Sequence, residues 1–261
     1  MKIAILVAAH KDAPMPKDRS LYLPVLVGAD KNYHGQQGFQ LDNQGENISA
    51  KNPNYNELTA IYWAWKNLHN VDAIGLVHYR RLFSKHLDRS LDKVLTQKQV
   101  EKMLEKAPVI LPRKRYYVVE TIYSHYVHSH YKEPLEETRK VISAIDPDYL
   151  GSFDKAMHRR SAHMFNMFIM KTNYFDDYCK WLFNILFNVE KRIDISNYSV
   201  QEARVFGYLS EVLMDVWIDK NHVKYTECNW IQIGDRHLVK KAWGFVKRKF
   251  SSNVGKDETH Y

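Results

Sequence analysis

The chain has 261 residues, 45% of them hydrophobic, which is enough to bury one large α/β core. Lys and Arg outnumber Asp and Glu by 38 to 30, a formal charge of +8 that favours anionic partners: phosphate-bearing substrates, nucleic acid or a phospholipid surface. No apolar run approaches the roughly 18–20 residues a membrane-spanning helix needs, and Cys179 and Cys228 stand far apart without metal-type spacing, so a cytoplasmic, reducing location is expected.

Residues 3–8 form a continuous apolar run, the mark of a strand covered on both faces. With His10-Lys11-Asp12 after it and no small-residue cleavage pattern, that run reads as a buried first strand rather than a signal peptide. Residues 22–27 are a second short run, interrupted by Pro24, and 28–45, rich in Gly, Asn, Asp and Gln, read as a long loop. A helix is predicted from Tyr55, with Leu58, Ile61, Tyr62, Trp65 and Leu68 at helical spacing and Asn54 with Glu57 as a capping box.

Residues 73–77 predict the next buried strand. Thr96 and Gln99 can cap a helix carrying Val100, Met103 and Leu104, and Pro108 and Pro112 bracket a brief strand at 109–111. The Tyr- and His-rich stretch 116–131 has no clean period. Helices are predicted over 135–145 and 175–189 and a strand over 164–170. The strongest helix signal is 199–218, where Val205, Leu209, Val212, Leu213, Val216 and Trp217 form one stripe. Strands alternating with helices predict an α/β fold with a mostly parallel sheet, in which ligands bind at the carboxyl ends of strands.

Three places at strand ends carry cationic chemistry: His10-Lys11, His78-Tyr79-Arg80-Arg81, and His158, Arg159, Arg160 and His163 before the 164–170 strand. Guanidinium groups converging on one crevice suit a diphosphate; taken singly, each also fits a solvated loop. Lys51 and Asn52 lead into the predicted helix start at Tyr55, a place for an anion or for ordinary capping. Glu202 is either a catalytic base or the acid of a Ser199–Glu202 capping box, and Asp30, Asp42, Glu57 and Asp154 are other loop or helix-start acids that can serve as base. Neither a P-loop nor a GxGxxG pattern is present.

Several stretches carry a resemblance: Gly45-Glu46-Asn47-Ile48-Ser49-Ala50-Lys51-Asn52, the run from Tyr55 to Asn67, Gly75-Leu76-Val77-His78-Tyr79-Arg80-Arg81-Leu82-Phe83, Asn166-Met167-Phe168-Ile169-Met170, and Glu202 to Glu211. Together they resemble the DUF4422 family of capsular and exopolysaccharide synthesis proteins, whose galactofuranosyltransferase members define a glycosyltransferase family. The likeness extends from His10 to about Trp217.

It implies a single GT-A-like domain over 1–238 and inverting transfer of galactofuranose from UDP-galactofuranose to a lipid-linked glycan. On that reading His10, Lys11, His78, Arg80, Arg81, Lys51 and Asn52 hold the nucleotide and diphosphate. Arg159, Arg160, His163 and Asn166 contact sugar or acceptor, and Glu202 or Asp30 is the base. Where a GT-A strand ends in an Asp-x-Asp metal motif, this chain has His78-Tyr79-Arg80-Arg81, so no metal ligand is assigned and a requirement for Mn or Mg stays open.

Residues 239–261 read as a basic amphipathic tail, with Val239, Trp243, Val246 and Phe250 on one helical face among lysines and arginines. That pattern suits the anionic inner face of the cell membrane, with the enzyme peripheral to it. A nucleic-acid-binding protein would also explain the charge, but no nucleic-acid module is recognisable. A non-catalytic role in glycan assembly is the other alternative.

Overall fold

The computed structural model describes residues 1–234. Its strands are β1 (Ile3–Ala9), β2 (Tyr22–Leu26), β3 (Gln40–Leu41), β4 (Ala73–His78), β5 (Arg81–Phe83), β6 (Val109–Pro112), β7 (Arg115–Tyr116), β8 (Ser161–Ala162), β9 (Phe168–Lys171), β10 (Tyr225–Cys228) and β11 (Trp230–Gln232). Its α-helices are α1 (Ala29–Asn32), α2 (Asn52–Tyr55), α3 (Leu58–Asn67), α4 (Gln97–Leu104), α5 (Ile122–Ser129), α6 (Glu133–Ile145), α7 (Leu150–His158), α8 (Thr172–Glu190) and α9 (Val205–Lys220).

The main sheet runs β10-β6-β9-β4-β1-β2-β3, and β5 leaves its path to pair with β4 and β11. β1 pairs in parallel with β2 and β4, β2 with β3, and β6 with β10, while β9 is antiparallel to β4 and β6. The result is one mostly parallel α/β sheet. Its central strands are apolar throughout because both faces are covered. Leu6 and Ala8 of β1 join the core made with α3, α6, α7, α8 and α9, whereas Ile3, Ile5 and Val7 join the opposite core with α4. Gly75 lets β9 approach β4: a Cβ there would meet Ile169 Cγ1 at 2.8 Å and the Phe168 carbonyl oxygen at 2.9 Å.

Several boundaries differ from the sequence reading, each for a local reason. The helix expected from Tyr55 is two helices, α2 and α3, because Asn56 adopts φ +50° between them; the Asn54 amide donates to the Ala203 carbonyl instead of capping a helix. The strand expected over 164–170 starts only at Phe168, since Phe165 and Asn166 both take positive φ. The helix expected from Ser199 starts at Val205; residues 200–203 form a turn in which the Ala203 N–H donates to the Ser199 carbonyl. The aperiodic 116–131 stretch contains α5, capped reciprocally by Thr121 and Ser124. The capping box of Thr96 and Gln99 forms as read. The 239–261 tail lies outside the described residues.

The loop expected over 28–45 contains α1 and β3 and is fixed by the buried Asp42. Its carboxylate accepts from the Gly28 and Ala29 N–H groups at 2.7 and 2.9 Å and from the Ser49 and Thr59 hydroxyls at 2.6 and 2.5 Å. Replacing a charged acceptor of this kind strands buried donors, at about 1–3 kcal/mol each. Asp42→Ala is therefore expected to lower the unfolding free energy by at least about 2 kcal/mol, read as a shifted urea midpoint.

Candidate active site

Parallel register brings the exits of β1 and β4 side by side. Ala8 pairs with His78, the Tyr79 N–H donates to the Ala8 carbonyl at 3.1 Å, and the rings of His10 and Tyr79 meet edge to face at 5.6 Å. At the neighbouring exit of β2 the Val27 N–H donates to the Ala9 carbonyl, and Gly28 follows with φ +62°. A Cβ on Gly28 would lie 2.6 Å from Asn52 Oδ1, so glycine makes room for that amide, which donates to the Asn56 carbonyl at 2.8 Å.

The break at Asn56 turns Glu57 towards the β4 exit. Its carboxylate accepts from the Asn166 amide at 2.7 Å; Asn166 is buried and also donates to the Gly207 carbonyl and accepts from the Ser210 hydroxyl. The Asn56 carbonyl is held by Asn52 while its side-chain oxygen accepts from Arg204 Nε at 3.0 Å. Gly207, on the first turn of α9, packs against the Asn56 amide where no Cβ would fit. Three separate segments therefore lock one carboxylate in place.

Around Glu57 lie His78, Glu211, Arg81 and Arg204. His78 Nε2 donates to the Phe165 carbonyl at 2.6 Å, and the Arg81 guanidinium lies 4.4 Å from the Phe165 ring centroid. Although His78 and Glu211 keep partial solvent contact, protein surrounds both closely. Burial lowers the His78 pKa; Glu57 and the Phe165 carbonyl oppose that shift, and Arg81 and Arg204 add to it. The Glu211 carboxyl is pushed up to about 7, first by burial and then by Glu57, against a hydrogen bond from the Phe165 backbone and the charges of Arg81 and Arg204. The His10 pKa is lowered by burial, then by Lys11, Arg204 and Arg80. Arg204 acts on all three groups, and Arg80 pairs with no carboxylate among the described residues.

The residues singled out in sequence thus separate. His10, Lys11, His78, Arg80, Arg81 and Asn166 gather at this edge, with Asn52 beside Gly28. Lys51 turns to Glu190 of α8 at 2.6 Å, Arg159 pairs with Asp219 at 2.5 Å, and Arg160 is exposed. His163 is buried between Asp215, at 2.5 Å from Nδ1, and Glu227, at 3.2 Å from Nε2. Asp30 is exposed on α1 and accepts from the Asn43 amide. Glu202 is buried, with its carboxylate 3.3 Å from His130, whose ring stacks on Tyr208 at 4.0 Å. Glu57 was one of several acids visible in the sequence; Glu211 and Arg204 were hidden inside an ordinary helical stripe.

Paired carboxylates ringed by fixed cations at strand exits can bind an anionic leaving group and take a proton. Among the described residues no three His, Cys, Asp or Glu side chains come together in a way that could hold a metal ion.

The family profile described as "Domain of unknown function (DUF4422)" matches residues 4–222. The chain belongs to the DUF4422 family. A solved structure described as the apo form of the WbbM bifunctional glycosyltransferase superposes on this DUF4422 chain with a TM-score of 0.81 at 27% identity. The match covers 90% of this chain and 46% of that one, so the present chain spans about half the length of its structural neighbour. A search of curated proteins finds no match. The DUF4422 fold here is thus a GT-A-like α/β domain, as the sheet order and the neighbour together show.

The Glu211 environment makes a stability prediction. A carboxyl with a raised folded-state pKa binds its proton more tightly folded than unfolded, so its stabilising effect is full in acid and is lost as pH rises from about 4.5 to about 7. Glu211→Gln removes that loss. Relative to the parent chain the variant should gain stability across this window, by no more than about 1.4 kcal/mol per pH unit, in denaturant melts at a series of pH values.

Proposed function

We propose that this chain is a glycosyltransferase of bacterial surface-polysaccharide assembly, moving galactofuranose from UDP-galactofuranose to a lipid-linked glycan with inversion. The observation that carries the reading is the gathering of cationic side chains from β1, β4 and the α9 entry around a pair of carboxylates at one edge of the sheet. The glycosyltransferase description of the structural neighbour supports the reaction class; the donor is carried over from the resemblance to galactofuranosyltransferase members of the family read in the sequence.

In this mechanism the acceptor hydroxyl oxygen attacks the anomeric carbon from the face opposite the diphosphate. The bond from that carbon to the phosphate oxygen breaks, and its electron pair leaves with UDP. Arg80, Arg204 and Lys11, with Arg81 and His10 behind them, stabilise the charge that grows on the departing diphosphate. Glu211 accepts the hydroxyl proton; a carboxylate with a pKa near 7 is a far stronger base than a solvated one. Asn166 holds Glu57 against the same site, and His78 keeps the Phe165 peptide in its left-handed turn. Fixed cations supply the charge neutralisation that a divalent ion would otherwise give.

Four outcomes are expected. Arg80→Ala should lower transfer from UDP-galactofuranose by roughly 10²–10³-fold with an unchanged melting temperature; undiminished turnover would reject the diphosphate role. Glu211→Gln should lower turnover by roughly 10²–10⁴-fold with donor binding retained, and the parent rate should rise with pH to a plateau above about 7. Glu202→Gln should leave the chemical step largely intact. Transfer should persist after chelation of divalent cations, and a requirement for added Mn or Mg would contradict the fixed-cation account.

A further inference from the structure

We propose that residues 113–123 form a membrane-docking surface that seats the carboxyl edge of the sheet on an anionic phospholipid bilayer. In this segment Tyr116, Val118 and Val119 are 77%, 87% and 84% exposed, among the most exposed large apolar side chains of the described residues. Aliphatic groups presented this openly on neighbouring positions lose their hydration only when something apolar covers them.

The backbone beneath them is firmly held, so their exposure is built in. The Tyr117 N–H donates to the Arg160 carbonyl and the Ile122 N–H to the Arg159 carbonyl, both at 2.8 Å. Between these anchors the Tyr117 ring is buried against His125 at 4.3 Å, and its hydroxyl reaches the Met164 sulfur at 3.4 Å. Glu120, the one acid of the loop, is engaged by His125 and His128 at 2.8 Å each. The chain is pinned at 117 and from 120 onward, and the two valines project between the pins.

The charge around the tip selects the partner. Arg113 and Arg115 precede it, and Arg160 stands beside it through the pairing of Arg115 with Ala162 and Tyr116 with Ser161. All three are exposed, and none pairs with a carboxylate among the described residues. An apolar tip flanked by arginines matches a bilayer surface: valines enter the boundary between headgroups and acyl chains while guanidinium groups meet anionic headgroups. A protein partner reading only the apolar tip would gain nothing from three unneutralised cations.

Placement strengthens the inference. β6 runs antiparallel to β9, and β9 antiparallel to β4, so β6 delivers residue 113 at the same edge as the exits of β1 and β4. Tyr117 contacts Met164, two residues before Asn166. A bilayer contacting the valines would therefore lie against the rim that carries the candidate active site. This surface is built from described residues other than the 239–261 segment, and binding to it does not depend on the proposed transfer reaction.

The test uses the full chain and phosphatidylcholine vesicles with and without phosphatidylglycerol. The double variant Val118→Asp/Val119→Asp, altered only at highly exposed positions, should bind the anionic vesicles about tenfold more weakly in sedimentation. Cys179 and Cys228 are both buried, so an environment-sensitive fluorophore on Val118→Cys reports from position 118 alone. Its emission should shift to the blue with anionic vesicles and not with phosphatidylcholine alone. Undiminished binding of the double variant, or an unshifted emission from vesicle-bound protein, would overturn the proposal. So would a change of oligomeric state in the double variant with vesicle binding intact, which would reassign this face to self-association. Sedimentation does not read catalysis, so failure here leaves the transferase reading standing.

Discussion

One backbone conformation governs the geometry of the site. Asn56, at φ +50°, ends α2 and lets α3 begin two residues later, and everything about Glu57 follows from that interruption. A positive φ outside glycine is costly and persists only when its surroundings enforce it. Here Asn52 holds the carbonyl, Arg204 holds the side-chain oxygen, and Gly207 leaves space for the amide. The three come from α2, the α9 entry and α9 itself, so the local strain is carried by tertiary contacts that also deliver the arginine to the carboxylates.

The same economy appears in the electrostatics. Two glutamates close enough to raise the pKa of one of them, in a protein-lined setting, are unfavourable on their own. Arg81 and Arg204 offset part of that cost, and the Phe165 peptide contributes from both ends, its carbonyl accepting from His78 and its N–H donating to Glu211. Phe165 and Asn166 can present their groups this way only because both take left-handed backbone. A second cluster joins the buried His163 to Asp215, one helical turn further along α9, and to Glu227 of β10. Both ring nitrogens of His163 have a carboxylate partner, whereas Arg80 at the strand exits pairs with no carboxylate among the described residues.

The layout of the sheet was legible because its signals are local and strong. Continuous apolar runs at 3–8 and 73–77 marked strands covered on both faces, and the cations immediately after them pointed to the edge where the candidate site gathers. The breaks were not legible for a physical reason. Asn56, Phe165 and Asn166 are forced into positive φ by partners distant in sequence, so the helix expected from Tyr55 and the strand expected from Met164 each ran across a break. Glu202 drew attention as a carboxylate near a helix start, yet the helix begins three residues later and its partner is His130, 72 residues away. Glu211 lacked a local signal; its character comes from burial beside Glu57, which periodicity does not encode.

The central claim is that cations from separate strand exits and from the α9 entry converge on one diphosphate. A crystal structure of the chain with UDP tests it most directly. The account predicts phosphate oxygens within hydrogen-bonding distance of the Arg80 and Arg204 side chains, with His10 at the rim and Glu211 facing the position vacated by the sugar. A nucleotide seated elsewhere, with both guanidinium groups left in solvent, would contradict it.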